Sequence, residues 1–308
     1  MQDIKNRIQY IDIAKGIAII LMVLGHKGIP QWLSNFIWSF HMPLFFICFG
    51  IVANFTRNSL AEFTLRRLKT LIFPFIIYSI IVYGLYQFTR EPISLHHLLT
   101  SGWGGYALWF IPVLFVSSIC AKIAFFFSGY YRCMFAFAYL AIGCILCHCN
   151  ICLPWAMSST PFATFLIVAG TELKGTAVII EKQRSLKLLI TVLILFVYNA
   201  LISHYWRLDI CANIVLPIIP LTIGSITGTF MVFAISTLIC RYTQFVSGLL
   251  TIVGRETYII VAFSQIIIPF VNLTGFEIPF VVKNLILIIV LIILTLIKNF
   301  IKKMIGQV

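Results

Sequence analysis

Tyr10-Ile11-Asp12-Ile13-Ala14-Lys15-Gly16-Ile17-Ala18-Ile19-Ile20-Leu21-Met22-Val23-Leu24-Gly25-His26 is apolar for most of its length, yet it carries Asp12, Lys15 and His26. A stretch of this length and hydropathy predicts a membrane-spanning helix. Charged groups in such a helix are expensive, so they face a bundle interior or a water-filled cavity. Lys15 and His26 are eleven residues apart. At about 100° per residue that is three turns plus roughly 20°, which puts both on one face, separated by roughly 16 Å along the axis. Asp12 lies one turn before Lys15 and is placed to pair with it. Helix geometry leaves two readings open. In one, Asp12 and Lys15 form an interfacial pair with Lys15 snorkelling, and His26 is an interfacial residue. In the other, the stripe belongs to a functional site.

The rest of the chain repeats the apolar pattern. Of its 308 residues, 61% are hydrophobic and only 10% charged, with a mean hydropathy of +1.05. A soluble domain of this size needs more charge to cover its surface. About ten spans are expected, at 10–29, 36–55, 69–89, 106–127, 133–152, 160–179, 186–204, 215–239, 250–271 and 279–300. Glu172 and Lys174 interrupt the sixth, and Pro217 with Pro220 offers a different division of 208–240. The fold class is therefore all-α, a polytopic transmembrane helix bundle, with residues 1–308 forming a single membrane domain.

The formal charge of +13 does not point to nucleic acid, because Lys and Arg fall in short loops between apolar segments. With a cytoplasmic N-terminus, sixteen of the 22 Lys and Arg lie inside and four outside, leaving Lys15 and Arg255 within spans. That bias supports an even number of spans with both termini cytoplasmic. Lys5 and Arg7 precede the first apolar run as in a signal peptide, but no small-residue cleavage site follows, so the run reads as an uncleaved span. Most of the nine cysteines lie in apolar spans, where a thiol acts as a small hydrophobe. Cys144-Ile145-Leu146-Cys147-His148 has the spacing of a covalent haem motif but sits in an apolar helix. With Cys149 and Cys152 it could also supply zinc ligands, but the spacing fits a packed helix equally well, and no metal is expected.

Phe40-His41-Met42-Pro43-Leu44-Phe45-Phe46 opens the second span and brings another imidazole close to His26 across a short loop. Two histidines at one membrane face suit acid/base chemistry. The two segments together resemble the integral-membrane acyltransferase family 3, including its basic residue, ten intervening residues and histidine from Lys15 to His26. Further likenesses are Arg66-Arg67 before a span containing Pro74, Leu108-Trp109-Phe110-Ile111-Pro112, and Gly254-Arg255-Glu256-Thr257-Tyr258-Ile259. The chain departs from the family pattern at Phe49-Gly50, where Ser-Gly is usual, and at Ser264-Gln265, where many members carry a histidine.

The resemblance implies acyl transfer, usually acetyl from acetyl-CoA, to a hydroxyl of a surface polysaccharide (O-antigen, capsule or similar) or its lipid-linked precursor, in the inner membrane of a bacterium. On this reading His26 is the base or the acyl carrier, His41 orients it or meets the acceptor, and Asp12 holds Lys15. Lys15, Arg66 and Arg67, with Lys69 beside them, face the donor phosphates. Trp109 and Arg255 are expected along the substrate path; Arg255 can also form an ion pair with its neighbour Glu256. The alternative from another class is a transporter or flippase of a lipid-linked sugar, with Asp12, Lys15 and His26 lining its path. Such a protein more naturally shows two related halves with paired broken helices, and no internal symmetry is visible here.

Overall fold

A computed structural model describes residues 8–25, 29–89, 94–101, 107–264, 266, 282, 289–290 and 292–293. Helix dominates the described residues, and their only β-like feature is an isolated bridge between Asp209 and Ile214. In chain order the helices are α1 (Gln9–Gly25), α2 (Gln31–Trp38), α3 (His41–Val52), α4 (Leu60–Arg67), α5 (Phe73–Tyr86), α6 (Leu95–Ser101), α7 (Phe110–Ala124), α8 (Gly129–His148), α9 (Thr160–Glu172), α10 (Lys174–Lys182), α11 (Ser185–Tyr205), α12 (Ile218–Tyr242), α13 (Gln244–Arg255) and α14 (Thr257–Phe263).

Among the described residues, five stretches are long and apolar enough to cross a bilayer: Gln31–Val52, Leu60–Tyr86, Gly129–His148, Ser185–Tyr205 and Ile218–Tyr242. The count rises to seven if each of two bent pairs is one span. The first pair, Pro154–Glu172 with Lys174–Lys182, bends by 54° at the place where Glu172 and Lys174 interrupt the expected sixth span. Glu172 turns to Arg132 of α8, with Arg132 Nε 2.6 Å from its Oε1. The second pair, Gln244–Arg255 with Thr257–Phe263, bends by 67° next to Glu256. α1 is 17 residues long and α7 is 15, each short of a full crossing over the described residues. The expected span 279–300 lies almost wholly outside the described residues.

Local chemistry explains several boundaries. Ser59 and Glu62 form a reciprocal capping box at the start of α4, each side chain accepting the other's backbone N–H at 3.2 Å. Between α4 and α5 the chain takes a π-helical turn, Leu68–Ile72. Phe73 N–H donates to the Leu68 carbonyl, and Pro74, with no N–H to give, follows directly. Pro217 and Pro220 do not break α12. The first precedes the helix and the second falls in its first turn, where a missing N–H is harmless, so α12 runs unbroken for 25 residues.

Small residues set the helix approaches, as packing in lipid requires. A Cβ on Gly16 would overlap the Leu250 carbonyl, and one on Gly254 would overlap the Asp12 carbonyl, so α1 and α13 meet backbone to backbone. Gly50 and Gly170 do the same between α3 and α9, against the Ile167 and Ile47 carbonyls. The position after Phe49 therefore needs glycine for packing. α1, α3, α9 and α12 form the buried centre. α5, α8 and α11 turn rows of apolar side chains outward, such as Ile76, Ile77 and Ile80 or Leu186, Leu189 and Leu193, as lipid-facing helices do.

One cation counted with the inner-side charges has a different role. Lys122 is 4% exposed, and its ammonium donates to the Phe55 carbonyl and, at 2.6 Å, to the Asn58 carbonyl. It ties the chain after α3 to the end of α7, satisfying carbonyls that no helix continues to use.

Candidate active site

A cavity of about 260 Å³ runs through the centre of the bundle. Along α1 its wall is Ile11, Lys15, Ile19 and Met22, one helical stripe. α3 runs antiparallel to α1 and contributes His41 at one end, Val52 at the other, and Phe45, Cys48 and Phe49 between. Ile11 to Met22 spans roughly 16 Å of helix axis, about half the hydrocarbon thickness. The two ends differ in chemistry.

At the end nearer the start of α1, Asp12 is 3% exposed and bridges two cations. Lys15 Nζ is 2.7 Å from Asp12 Oδ1, and Arg255 Nε donates to Asp12 Oδ2 at 3.2 Å. The Asp12–Lys15 pair agrees with the helical spacing. The Arg255 contact joins residues 243 positions apart and places Arg255 with Asp12 and Lys15; Arg255 itself is not part of the cavity wall. In the sequence its partner is a lone acid of opposite sign in another apolar span, whereas chain proximity favours Glu256. The bend after Arg255 aims Tyr258 at the cavity, where its hydroxyl donates to the Leu71 carbonyl in the π-helical turn at 2.8 Å.

The three basic residues of the α4–α5 segment behave differently from one another. Arg66 and Lys69 are exposed. Arg67 is half-buried and its guanidinium lies 4.5 Å from the Phe49 ring centroid and 5.1 Å from that of Phe63. Phe49 lines the cavity, so Arg67 stands directly behind its wall. Among the described residues, the buried Arg67 Nε has no hydrogen-bond partner.

At the opposite end, His41 is 5% exposed and lines the cavity. Its Nδ1 lies 2.9 Å from the Ile37 carbonyl. A carbonyl only accepts, so Nδ1 carries the hydrogen and the neutral ring keeps its lone pair on Nε2. Trp109 is also buried in the cavity wall, its ring edge-on to Phe110, which packs in turn on Phe45 and Phe46. Gly25, the last described residue of α1, approaches the Trp38 indole, and its carbonyl accepts from Ser34 Oγ at 3.4 Å. His26 lies outside the described residues. Gln265 does too, whereas Ser264, its neighbour in the late segment, is buried.

The loop between α11 and α12 closes this end, and helical period gives no hint of it. Leu208, Asp209, Ile210 and Cys211 all line the cavity. The only signal in the sequence is a charged pair, Arg207 and Asp209, in an otherwise apolar stretch. The cysteine-rich end of α8 is not part of the cavity wall; Cys144 and Cys147 are partly buried and His148 is exposed. His96 is exposed on α6.

Among the described residues this is a helical membrane bundle whose cavity is cationic at one end and holds an imidazole at the other. The family model described as Acyltransferase domain matches residues 8–301, so the chain belongs to acyltransferase family 3 and is a membrane acyltransferase. Comparison with curated proteins and with solved structures finds no match.

Proposed function

We propose that the protein transfers acetyl from acetyl-CoA to a hydroxyl of a surface polysaccharide or its lipid-linked precursor, in the inner membrane of a bacterium and with both termini cytoplasmic. The observation that carries this reading is the cavity itself. It links Lys15, with Arg67 behind its wall, to His41 along a single stripe of α1, and the next position in the series 11, 15, 19, 22 is 26. Family membership favours transfer over transport for this path.

In this scheme the phosphates of CoA meet Lys15 and Arg67 on the cytoplasmic side, and the acyl arm lies along the apolar wall formed by Ile19, Met22 and Phe45. The acceptor enters beside His41 and Trp109. A sugar hydroxyl is a poor nucleophile, so a neutral imidazole takes its proton as the oxygen attacks the thioester carbonyl. The C–S bond breaks and the CoA sulfur leaves with a proton. His26 is the base, or else carries the acetyl group before the sugar receives it; His41 orients it or the acceptor. Asp12, bridged to Lys15 and Arg255, positions the donor-side cations.

The test uses purified protein in lipid nanodiscs, acetyl-CoA labelled in its acetyl group, and surface polysaccharide from a deletion strain, stripped of esters with mild alkali. Label should enter the polysaccharide and leave again in mild alkali, as an O-ester does. Label that resists alkali, or no transfer from acetyl-CoA, would reject the reading. On the donor side, Arg67→Ala should raise the KM for acetyl-CoA by about tenfold or more, the loss of one charge-assisted contact. Arg66→Ala, at an exposed position, should stay within about threefold. Equal effects of the two variants would show that charge in the loop matters and the site behind Phe49 does not.

A further inference from the structure

The loop that closes the His41 end carries a group with no role in the transfer chemistry. Asp209 lines the cavity, and its side chain is 15% exposed. Its Oδ2 accepts from Arg207 Nη2 at 3.1 Å and its Oδ1 from the Ala212 N–H at 3.2 Å. The loop that holds it is firmly built. Asp209 and Ile214 exchange backbone hydrogen bonds of 3.0 and 2.8 Å, and the Ser159 hydroxyl donates to the Ile210 carbonyl. The Arg207 guanidinium lies 4.2 Å from the centroid of the Trp38 ring, whose other neighbours include His41 and Gly25.

An ionised carboxylate only accepts hydrogen bonds, and it offers about four lone-pair directions on two oxygens. Two are used within the loop, leaving one on each oxygen among the described residues. Paired acceptors of this kind suit two adjacent hydroxyl donors. The charge of Arg207 is already balanced by Asp209 and spread over the Trp38 face, so the pair offers no uncompensated cation to an acidic sugar.

We infer that Asp209 binds the acceptor, accepting hydrogen bonds from neighbouring hydroxyls of a neutral sugar ring and so setting which hydroxyl reaches the imidazole end of the cavity. This rests on the polysaccharide reading of the preceding subsection. It makes the Trp206–Pro217 loop the element that selects the acceptor, while the donor half of the cavity is left untouched.

The test measures acceptor KM with the alkali-stripped polysaccharide, together with the KM and Kd for acetyl-CoA, in nanodiscs. Asp209→Asn should raise the acceptor KM by about tenfold or more, since one charged acceptor is lost, with both donor constants at wild-type values. Asp209→Glu, which keeps a carboxylate at the mouth, should recover part of the loss. Arg207→Gln breaks the ion pair but leaves the carboxylate, and should raise the acceptor KM less than Asp209→Asn. If Asp209→Asn also weakens acetyl-CoA binding, the contrast between Asp209→Glu and Asp209→Asn decides. A lower acceptor KM for the glutamate variant supports binding by the carboxylate; an equal or higher one overturns it. An acceptor KM within twofold of wild type for Asp209→Asn also overturns the inference, as does an equal rise for Arg207→Gln. In these cases transfer by the wild type leaves the proposed function standing. A wild type that binds acetyl-CoA but acetylates no polysaccharide removes both.

Discussion

His26→Ala should lower acetyl transfer to polysaccharide by about 10²–10⁴-fold, the usual contribution of a positioned general base. The Kd for acetyl-CoA should stay at its wild-type value. The reason is distance: Lys15 lines and Arg67 backs the donor-side part of a cavity that extends roughly 16 Å along α1, and in the sequence His26 comes eleven residues after Lys15, the next position in the helical series 11, 15, 19, 22. Steady-state transfer and isothermal titration of acetyl-CoA in nanodiscs separate the two quantities. Full acetylation by the alanine variant would reject the assignment. The same assay divides the two roles open to His26. Wild-type protein mixed with acetyl-CoA in the absence of acceptor should release CoA in a stoichiometric burst if the imidazole carries acetyl, and without a burst if it acts as a base.

Gly254→Ala should be among the most damaging single methyl additions in the chain. A Cβ there falls on the Asp12 carbonyl and beside the Gly16 N–H, so α13 must move away from α1. Overpacking of this kind costs about 1–3 kcal/mol. It also strains the Arg255–Asp12 contact one residue along, and through Asp12 the placement of Lys15. Gly248 lies on the same helix, and a Cβ added there would meet nothing within 4 Å, which makes Gly248→Ala the control. That change should be neutral, or stabilising by up to about 1 kcal/mol through helix propensity. Thermal unfolding of both variants in detergent, followed by size-exclusion fluorescence, tests the contrast. Equal melting temperatures would show that α1 and α13 do not depend on the close approach.

Much of the helical layout is legible along the chain because lipid selects for a local property. A run of about twenty apolar residues is read without knowing its neighbours. Nine of the ten expected spans coincide with helices among the described residues, although several are short or bent, and the long, apolar ones number five to seven. The breaks are partly visible too. Glu172 and Lys174 mark a true bend, whereas Pro217 and Pro220 suggest a division that α12 does not have, because proline in a first turn breaks no hydrogen bond.

The lining of the candidate site is legible where it follows helical period. Lys15 lies on the stripe of α1 that forms the cavity wall, and His41 starts the helix opposite. Three features cannot be read in this way. Arg67 and Arg66 are neighbours in sequence, but only Arg67 stacks on Phe49, because the π-helical turn and α4 set which way each projects. Arg255 finds Asp12 because glycines let α13 lie against α1. Asp209 reaches the cavity because a short bridged loop folds over Trp38.

Hydropathy and period act within one segment, so residue order alone establishes an all-helical membrane protein with a polar stripe on its first helix. Which distant charges meet, and what closes the cavity, emerges from the packing of the bundle. Those outcomes depend on how nearly two backbones can approach, and a residue's own neighbours in the chain do not encode that distance.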